Sequence, residues 1–321
     1  MNPSSASAIR LPIPATIQCS SNPTAIRRAM LCRLTAGLSS TTPLDDAPTA
    51  VSSLTSSPYI TAGDRSFSKG VNFAVVGATA LDFEFLGNIG FPNTFTNVSL
   101  GTQIDWLKQF SATIPDGTKF LQKLDFGGDT VQLVIHYIGS TAEELIKLGA
   151  ETLLVPGNLP VGCHPFCLAA YKESSSAQDY DPKTGCLNWL NDFAIYHNQL
   201  LQKELSRIRE LYPHAVLIYA DYYNAATRFY LSPAEYGFSK DIILSACCGG
   251  GGPYNYNETA KCGIPPARSC DDPSSYASWD GIHYTEAAYQ LIAQGLLQGP
   301  STIPHITTAC PSFNREDQVY Y

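Results

Sequence analysis

Two short apolar runs, ETLLV at 151–155 and AVLIY at 215–219, flank a segment of helical period at 191–212. This order, strand then helix then strand, most narrows the folds open to the chain. Each run has the length of a strand and is closed by turn-forming or polar residues, Pro156 and Gly157 after the first and Asp221 after the second. Between them Leu201, Leu205, Ile208 and Leu211 recur at helical spacing, and Pro213 follows the stop. A second helical pattern at 131–148 ends at Gly149, the usual position of a left-handed cap. A third, at 285–297, opens with Thr285 as its N-cap. Ile104, Leu107 and Phe110 place another helix over 99–110, and VNFAVVGATA at 71–80 reads as a buried strand entering a tight turn at Gly77. Strands alternating with helices predict an α/β protein with a mainly parallel sheet covered on both faces.

In such sheets chemistry gathers at the carboxyl ends of the strands, where NLPVGC (158–163) lies. The sharper signal is WDGIH at 279–283. Asp280 stands three residues before His283, close enough to accept the Nδ1–H bond and stabilise an imidazolium, the part the acid plays in a hydrolase triad. Gly281 gives the turn its freedom, and Trp279 can wall off water beside the pair. The plainer reading, a helix-entry histidine bonded to a nearby backbone group, remains open at this point.

A base needs a nucleophile, and none stands out. No Gly-x-Ser-x-Gly elbow occurs in the chain. Gly63, Asp64 and Ser66 approach a Gly-Asp-Ser triplet, but Arg65 intervenes. Ser174, Ser175 and Ser176 sit in polar loop sequence, where solvated serines are the default.

Composition bounds the function class. The net charge of −8 argues against a nucleic-acid partner, and no apolar run of about 18 residues can span a membrane as a helix. Ten cysteines, most of them after residue 160 in Gly- and Pro-containing loops, indicate disulfides and an oxidising compartment. Cys247 and Cys248, before four glycines, read as part of a disulfide-tied loop. Cys163, His164 and Cys167 supply at most three metal ligands with no second half, so neither a metal nor another cofactor is expected. Sequons at Asn97 and Asn257 agree with secretion. Residues 1–44 instead lack any Asp or Glu and carry Arg10, Arg27, Arg28 and Arg33, a composition closer to a plastid transit peptide than to a secretory signal. The expected organisation is an unstructured leader over 1–57, a domain over 58–300 and a tail over 301–321.

Five stretches together resemble the plant GDSL-type esterase/lipases of the SGNH hydrolase family: GVNFAVVGATALD (70–82), EELIKLGAETLLVPGNLPVGC (143–163), YDPKTGCLNWLNDFAIYHNQLLQKEL (180–205), ACCGGGGPYNYN (246–257) and WDGIHYTEAAYQLIA (279–293). The resemblance implies a flavodoxin-like three-layer α/β/α fold and hydrolysis of a small-molecule or lipid carboxylic ester by a monomeric, secreted, cofactor-free enzyme. It makes Asp280 and His283 the acid and base, and Gly77 an oxyanion-hole donor. The chain departs from the family pattern in two blocks. It has no Gly-Asp-Ser segment to supply the nucleophile, and Gly127, Gly128 and Asp129 lack the asparagine of Gly-x-Asn-Asp. The expectation is therefore a family member incomplete at its N-terminal strand, either an ester hydrolase with an unidentified serine or a truncated or mis-spliced, catalytically impaired relative that acts at most by binding. A cysteine-rich structural glycoprotein would leave the DGIH sequence unexplained.

Overall fold

The structure, a computed structural model, describes residues 15–16, 57–58, 71–73, 75, 78–88, 96–110 and 130–309. Among the described residues three two-residue strands come first: β1 (Ala15–Thr16), β2 (Ser57–Pro58) and β3 (Val71–Asn72). Helices α1 (Phe83–Asn88), α2 (Leu100–Phe110) and α3 (Thr130–Lys147) follow, then strand β4 (Thr152–Pro156). Next in order are α4 (Pro165–Tyr171), α5 (Asn188–Leu211), β5 (Val216–Ala220) and α6 (Tyr222–Leu231). Beyond them lie the short strands β6 (Cys248–Gly249) and β7 (Arg268–Ser269), α7 (Glu286–Leu297), β8 (Thr302–Ile303) and α8 (Ile306–Ala309).

The two apolar runs are the centre of the main sheet. β4 and β5 pair in parallel from Thr152↔Val216 to Pro156↔Ala220, and the edge strands β1 and β8 add in antiparallel sense to give the order β1-β4-β5-β8. All five residues of β4 are buried, as expected of a strand covered on both faces.

Because side chains alternate across a strand, the two faces of this pair feed different cores. Leu153, Val155, Leu217 and Tyr219 pack with Ile135, Ile138 and Leu145 of α3 and with Leu201, Leu205 and Ile208 of α5. Leu154, Ile218 and Ala220 pack with Ala225, Ala226 and Phe229 of α6 and with Ala288, Ile292 and Leu296 of α7. The result is three layers, helices on either side of a sheet. Leu201, Leu205 and Ile208 are fully buried, so truncating any one to Ala costs ~2–5 kcal/mol.

The caps at Gly149 and Thr285 fall where the sequence places them. Gly149 follows α3 with φ +96, its amide donating to Ile146 O at 2.9 Å while Ala150 N donates to Leu145 O at 2.9 Å, the crossed pair that closes a helix end. Thr285 Oγ1 accepts from Ala288 N at the start of α7, and Asp221 caps α6 by accepting from Asn224 N.

Two stretches differ from the sequence reading. α5 begins at Asn188 rather than 191, because no capping side chain marks its true start. Of the strand expected over 71–80, among the described residues Val71–Asn72 is a strand, pairing with Ser57–Pro58, and Thr79 makes an isolated bridge to Ser99. Gly77 lies outside the described residues, as do Ser66 and the glycines at 127 and 128.

The described fold runs past residue 300. β8 joins β5, Ile306 is fully buried, and Arg209 Nη2 donates to Ile303 O at 2.9 Å. At the other end β1, drawn from the segment read as a leader, pairs with β4 through Ala15↔Leu154. Among the described residues no helix is long and apolar enough to cross a membrane.

Candidate active site

The turn between Ser278 and Tyr284 carries the predicted pair. Its two ends are held together: Ser278 bridges to Tyr284, and Trp279 N donates to His283 O at 2.8 Å. Gly281 sits at its apex with φ +93, a left-handed conformation that a side chain would strain. Inside this loop Asp280 Oδ1 accepts from the amides of Ile282 at 3.0 Å and His283 at 2.8 Å, while Oδ2 lies 2.7 Å from His283 Nδ1.

Burial opposes the charge on Asp280. The hydrogen bond and charge of His283 and the two amide donors outweigh it and hold the carboxyl below its usual range. An ionised carboxylate can only accept, so Nδ1 carries the proton and Nε2 is the basic nitrogen of the ring. Such an imidazole is oriented to take a proton at Nε2, with its conjugate cation stabilised from behind.

Three further segments converge on this turn, and no residue of theirs was assigned a role in the site from sequence. After β4 the chain passes through Gly157 and Asn158, and Gly162 N donates to Asn191 Oδ1 at 2.9 Å on α5. It reaches His164 at the start of α4, from which Phe166 N donates to Gly281 O at 3.0 Å. His164 packs edge-on to the Tyr284 ring at 5.5 Å, and its buried Nε2 has no partner. Burial, and then the neighbouring His283, push its imidazole down to about 4 against the pull of Asp280, so it is neutral at neutral pH. On the far side Cys247 N donates to Ser278 O at 3.0 Å and Cys248 N to Trp279 O at 2.6 Å. Below the turn, Tyr284 N donates to Tyr289 Oη at 3.3 Å, and Tyr230 Oη donates to Tyr284 Oη at 3.3 Å. The only sequence signal for any of these was the position of 158–163 past the carboxyl end of a strand.

The loops around the site are covalently tied. Cys163 pairs with Cys186, Cys247 with Cys270 and Cys248 with Cys262. Cys163 therefore has no thiolate to offer a metal, and no cluster of three or more His, Cys, Asp or Glu residues among the described residues is arranged to hold one. Cys167 is a free thiol that burial pushes up to about 12. Trp279 lies half-buried beside the pair. Asn97 is exposed, and Asn257 is half-buried with its Oδ1 accepting from Thr259 N at 3.0 Å and Thr259 Oγ1 at 2.8 Å.

Comparison with known proteins gives a consistent result. The family model described as GDSL-like Lipase/Acylhydrolase matches residues 34–296. The chain is 45% identical to GDSL esterase/lipase At1g28600 of Arabidopsis thaliana over 79% of its own length and 70% of that protein's. It is 44% identical to GDSL esterase/lipase At1g28610 of the same plant, over 79% and 72% of the two chains. With the sinapine esterase of Brassica napus it shares 41% identity over 79% and 72%.

Proposed function

Because the chain belongs to the GDSL-like lipase/acylhydrolase family, we propose that it hydrolyses a small-molecule carboxylic ester with His283 as general base and Asp280 as its orienting acid. The observation that carries this reading is the 2.7 Å contact from His283 Nδ1 to an Asp280 carboxylate that two backbone amides already fix in place. In this scheme Nε2 of His283 removes the proton of a serine hydroxyl as the oxygen attacks the ester carbonyl. The tetrahedral oxyanion is met by backbone donors, for which the family resemblance nominates Gly77. Asp280 stabilises the imidazolium, which then gives its proton to the departing alkoxide. Water repeats the cycle on the acyl-enzyme and frees the acid.

The serine is the open part of the scheme. Incubating residues 1–321 with a fluorophosphonate and mapping the labelled peptide would identify it. Turnover of a short-chain p-nitrophenyl ester, lost in His283→Ala, would support the scheme. A chain that neither hydrolyses the ester nor takes the label would favour the second reading, a family member that binds without turnover. That reading rests on the absence of a Gly-Asp-Ser triplet from the sequence.

The three disulfides among the described residues support passage through an oxidising compartment, and with it secretion and glycosylation at Asn97 and Asn257. Action as a monomer belongs to the same proposal. Secretion from plant cells, a shift in mass on glycosidase treatment and the mass in solution would test each of these.

A further inference from the structure

The carbonyls of the turn that carries Asp280 and His283 are not left to solvent. Three of them accept amides from other segments: Ser278 O from Cys247, Trp279 O from Cys248 and Gly281 O from Phe166. Two of the three donors are half-cystines adjacent in sequence, and Ala246 bridges in parallel to Ser278 just before them. Cys247 and Cys248 thus form a short backbone ladder along the edge of the catalytic turn. Cys270 N donates back to Cys247 O at 2.8 Å, so the disulfide partner reinforces the same strand.

Besides the disulfides, the ladder is held where Ala246 N donates to Tyr254 O at 2.9 Å and Asn255 Nδ2 donates to Ala246 O at 2.8 Å, and where Tyr256 packs edge-on to Phe166 at 5.5 Å. Between Cys248 and Cys270 the chain contains the two-residue strands β6 and β7, paired at Cys248↔Ser269 and Gly249↔Arg268, and one 3-10 turn at Pro253–Asn255, and most of its residues are exposed. Gly249, Gly250, Gly251 and Gly252 run through it, the last two at φ +85 and +78, so the segment has a large conformational entropy to lose. Of its residues, Cys248 and Ala260 are buried apolar positions. The packing of β4 and β5 with α3 and α5 lies elsewhere and does not use the segment. Its covalent ties to the turn's edge are the bonds from Cys247 to Cys270 and from Cys248 to Cys262. In each disulfide one cysteine is buried against the turn, Cys247 or Cys248, and the other is half-exposed, Cys270 or Cys262. A reductant can reach the outer sulfur first.

We propose that Cys247 and Cys248 are positioning residues for the catalytic pair, and that reduction of their two disulfides by a dithiol switches ester hydrolysis off while the α/β core stays folded. One thiolate of the dithiol attacks the outer sulfur and expels the Cys247 or Cys248 thiolate, and its second thiol then displaces the mixed disulfide. Each protein disulfide gains two electrons and two protons, and the dithiol leaves as a cyclic disulfide. Freed from their partners, the Cys247 and Cys248 amides leave the carbonyls of Ser278 and Trp279, and the loop that fixes Asp280 against His283 loosens. The link to turnover rests on the hydrolase reading above; the link to the geometry of the pair does not.

The test uses the full chain at rising dithiothreitol, with each sample alkylated by iodoacetamide and mapped by mass spectrometry. Three signals are followed: kcat and KM for p-nitrophenyl acetate, the far-ultraviolet circular dichroism of the core, and the downfield proton resonance of His283 Nδ1–H. Opening of Cys247–Cys270 and Cys248–Cys262 should lower kcat on the order of 10²-fold, because a misplacement of about 1 Å at a catalytic group has that effect. KM should stay within about threefold. The His283 resonance should disappear while the far-ultraviolet signal persists. The paired variants Cys247→Ser with Cys270→Ser and Cys248→Ser with Cys262→Ser should show the same losses without reductant. The proposal is overturned if kcat and the resonance survive with both disulfides alkylated, if they vanish only together with the core signal, or if they follow the opening of Cys163–Cys186 instead. Should the oxidised protein show no turnover, the hydrolase reading fails by itself, and the His283 resonance still decides the proposal.

Discussion

Asn198 reads both backbone groups of Asn158: its Oδ1 accepts the Asn158 amide at 2.6 Å and its Nδ2 donates to the Asn158 carbonyl at 3.0 Å. The two residues are 40 apart in sequence and both are buried. An asparagine side chain here stands in for a strand neighbour just where β4 has ended, and it starts the segment that leads to His164. Asn198→Ala would leave a buried amide and a buried carbonyl unpaired. Each such group costs ~1–3 kcal/mol, so the variant should lose ~2–5 kcal/mol of unfolding free energy. Urea denaturation measures this, and a loss below about 0.5 kcal/mol would show that the paired geometry contributes nothing.

Asp280→Asn keeps the shape of the acid but replaces one acceptor oxygen with a donor. His283 Nδ1 would then face the wrong partner or adopt the wrong tautomer. By analogy with the buried acid of serine-protease triads, kcat should fall on the order of 10³–10⁴-fold with KM little changed. Steady-state kinetics on a chromogenic ester decides it, and a variant retaining half of wild-type kcat would remove Asp280 from the mechanism.

The same carboxylate sets an acid limit on stability. Its pKa in the folded state lies below the ordinary value, so the folded state binds fewer protons through that range than the unfolded chain does. Its contribution is complete above the ordinary carboxylate pKa of ~3.9 and is lost as pH falls through the depressed folded value. Urea midpoints of wild type and Asp280→Asn should therefore differ most at neutral pH and converge below about pH 4. A gap that widens on acidification would contradict the assignment.

His164 acts over a different pH range. With its imidazole pushed down to about 4 in the fold and near 6.5 when unfolded, both states are neutral above pH ~6.5 and no stability depends on it there. As pH falls toward 4 the unfolded chain takes up a proton that the folded protein refuses, and stability drops by ~1–3 kcal/mol. His164→Gln should flatten this part of the stability profile. Denaturation at pH 7, 5.5 and 4.5 provides the comparison, and parallel profiles for the two proteins would disprove the effect.

Gly281→Ala tests the turn itself. The left-handed φ of +93 strains any side chain, and a Cβ would collide with the Tyr256 ring. A loss of ~1–3 kcal/mol in stability is expected, together with a fall in kcat as the Asp280–His283 geometry relaxes. Unchanged thermal unfolding and turnover would mean that the apex is dispensable.

The architecture was legible because it is written in short-range patterns. The 3.6-residue period, the caps at Gly149 and Thr285 and the two apolar runs are properties of neighbouring residues, and the layers follow from the alternation of side chains along β4 and β5. Asp280 and His283 could be paired from sequence for the same reason, since one tight turn contains both. The start of α5 was missed for lack of a capping side chain; of the run read into 71–80, the described residues form a strand at Val71–Asn72 and a bridge at Thr79.

By itself, then, the sequence determined the α/β alternation and an acid–base pair local to one turn. Only the tertiary structure decided what surrounds that pair: His164 beside Tyr284, Phe166 on the Gly281 carbonyl, Cys247 and Cys248 along its edge, and which cysteine joins which. These partners come from segments tens of residues apart. Their meeting is set by the packing of helices on the sheet and by loop closure, and neither leaves a periodic trace in the chain.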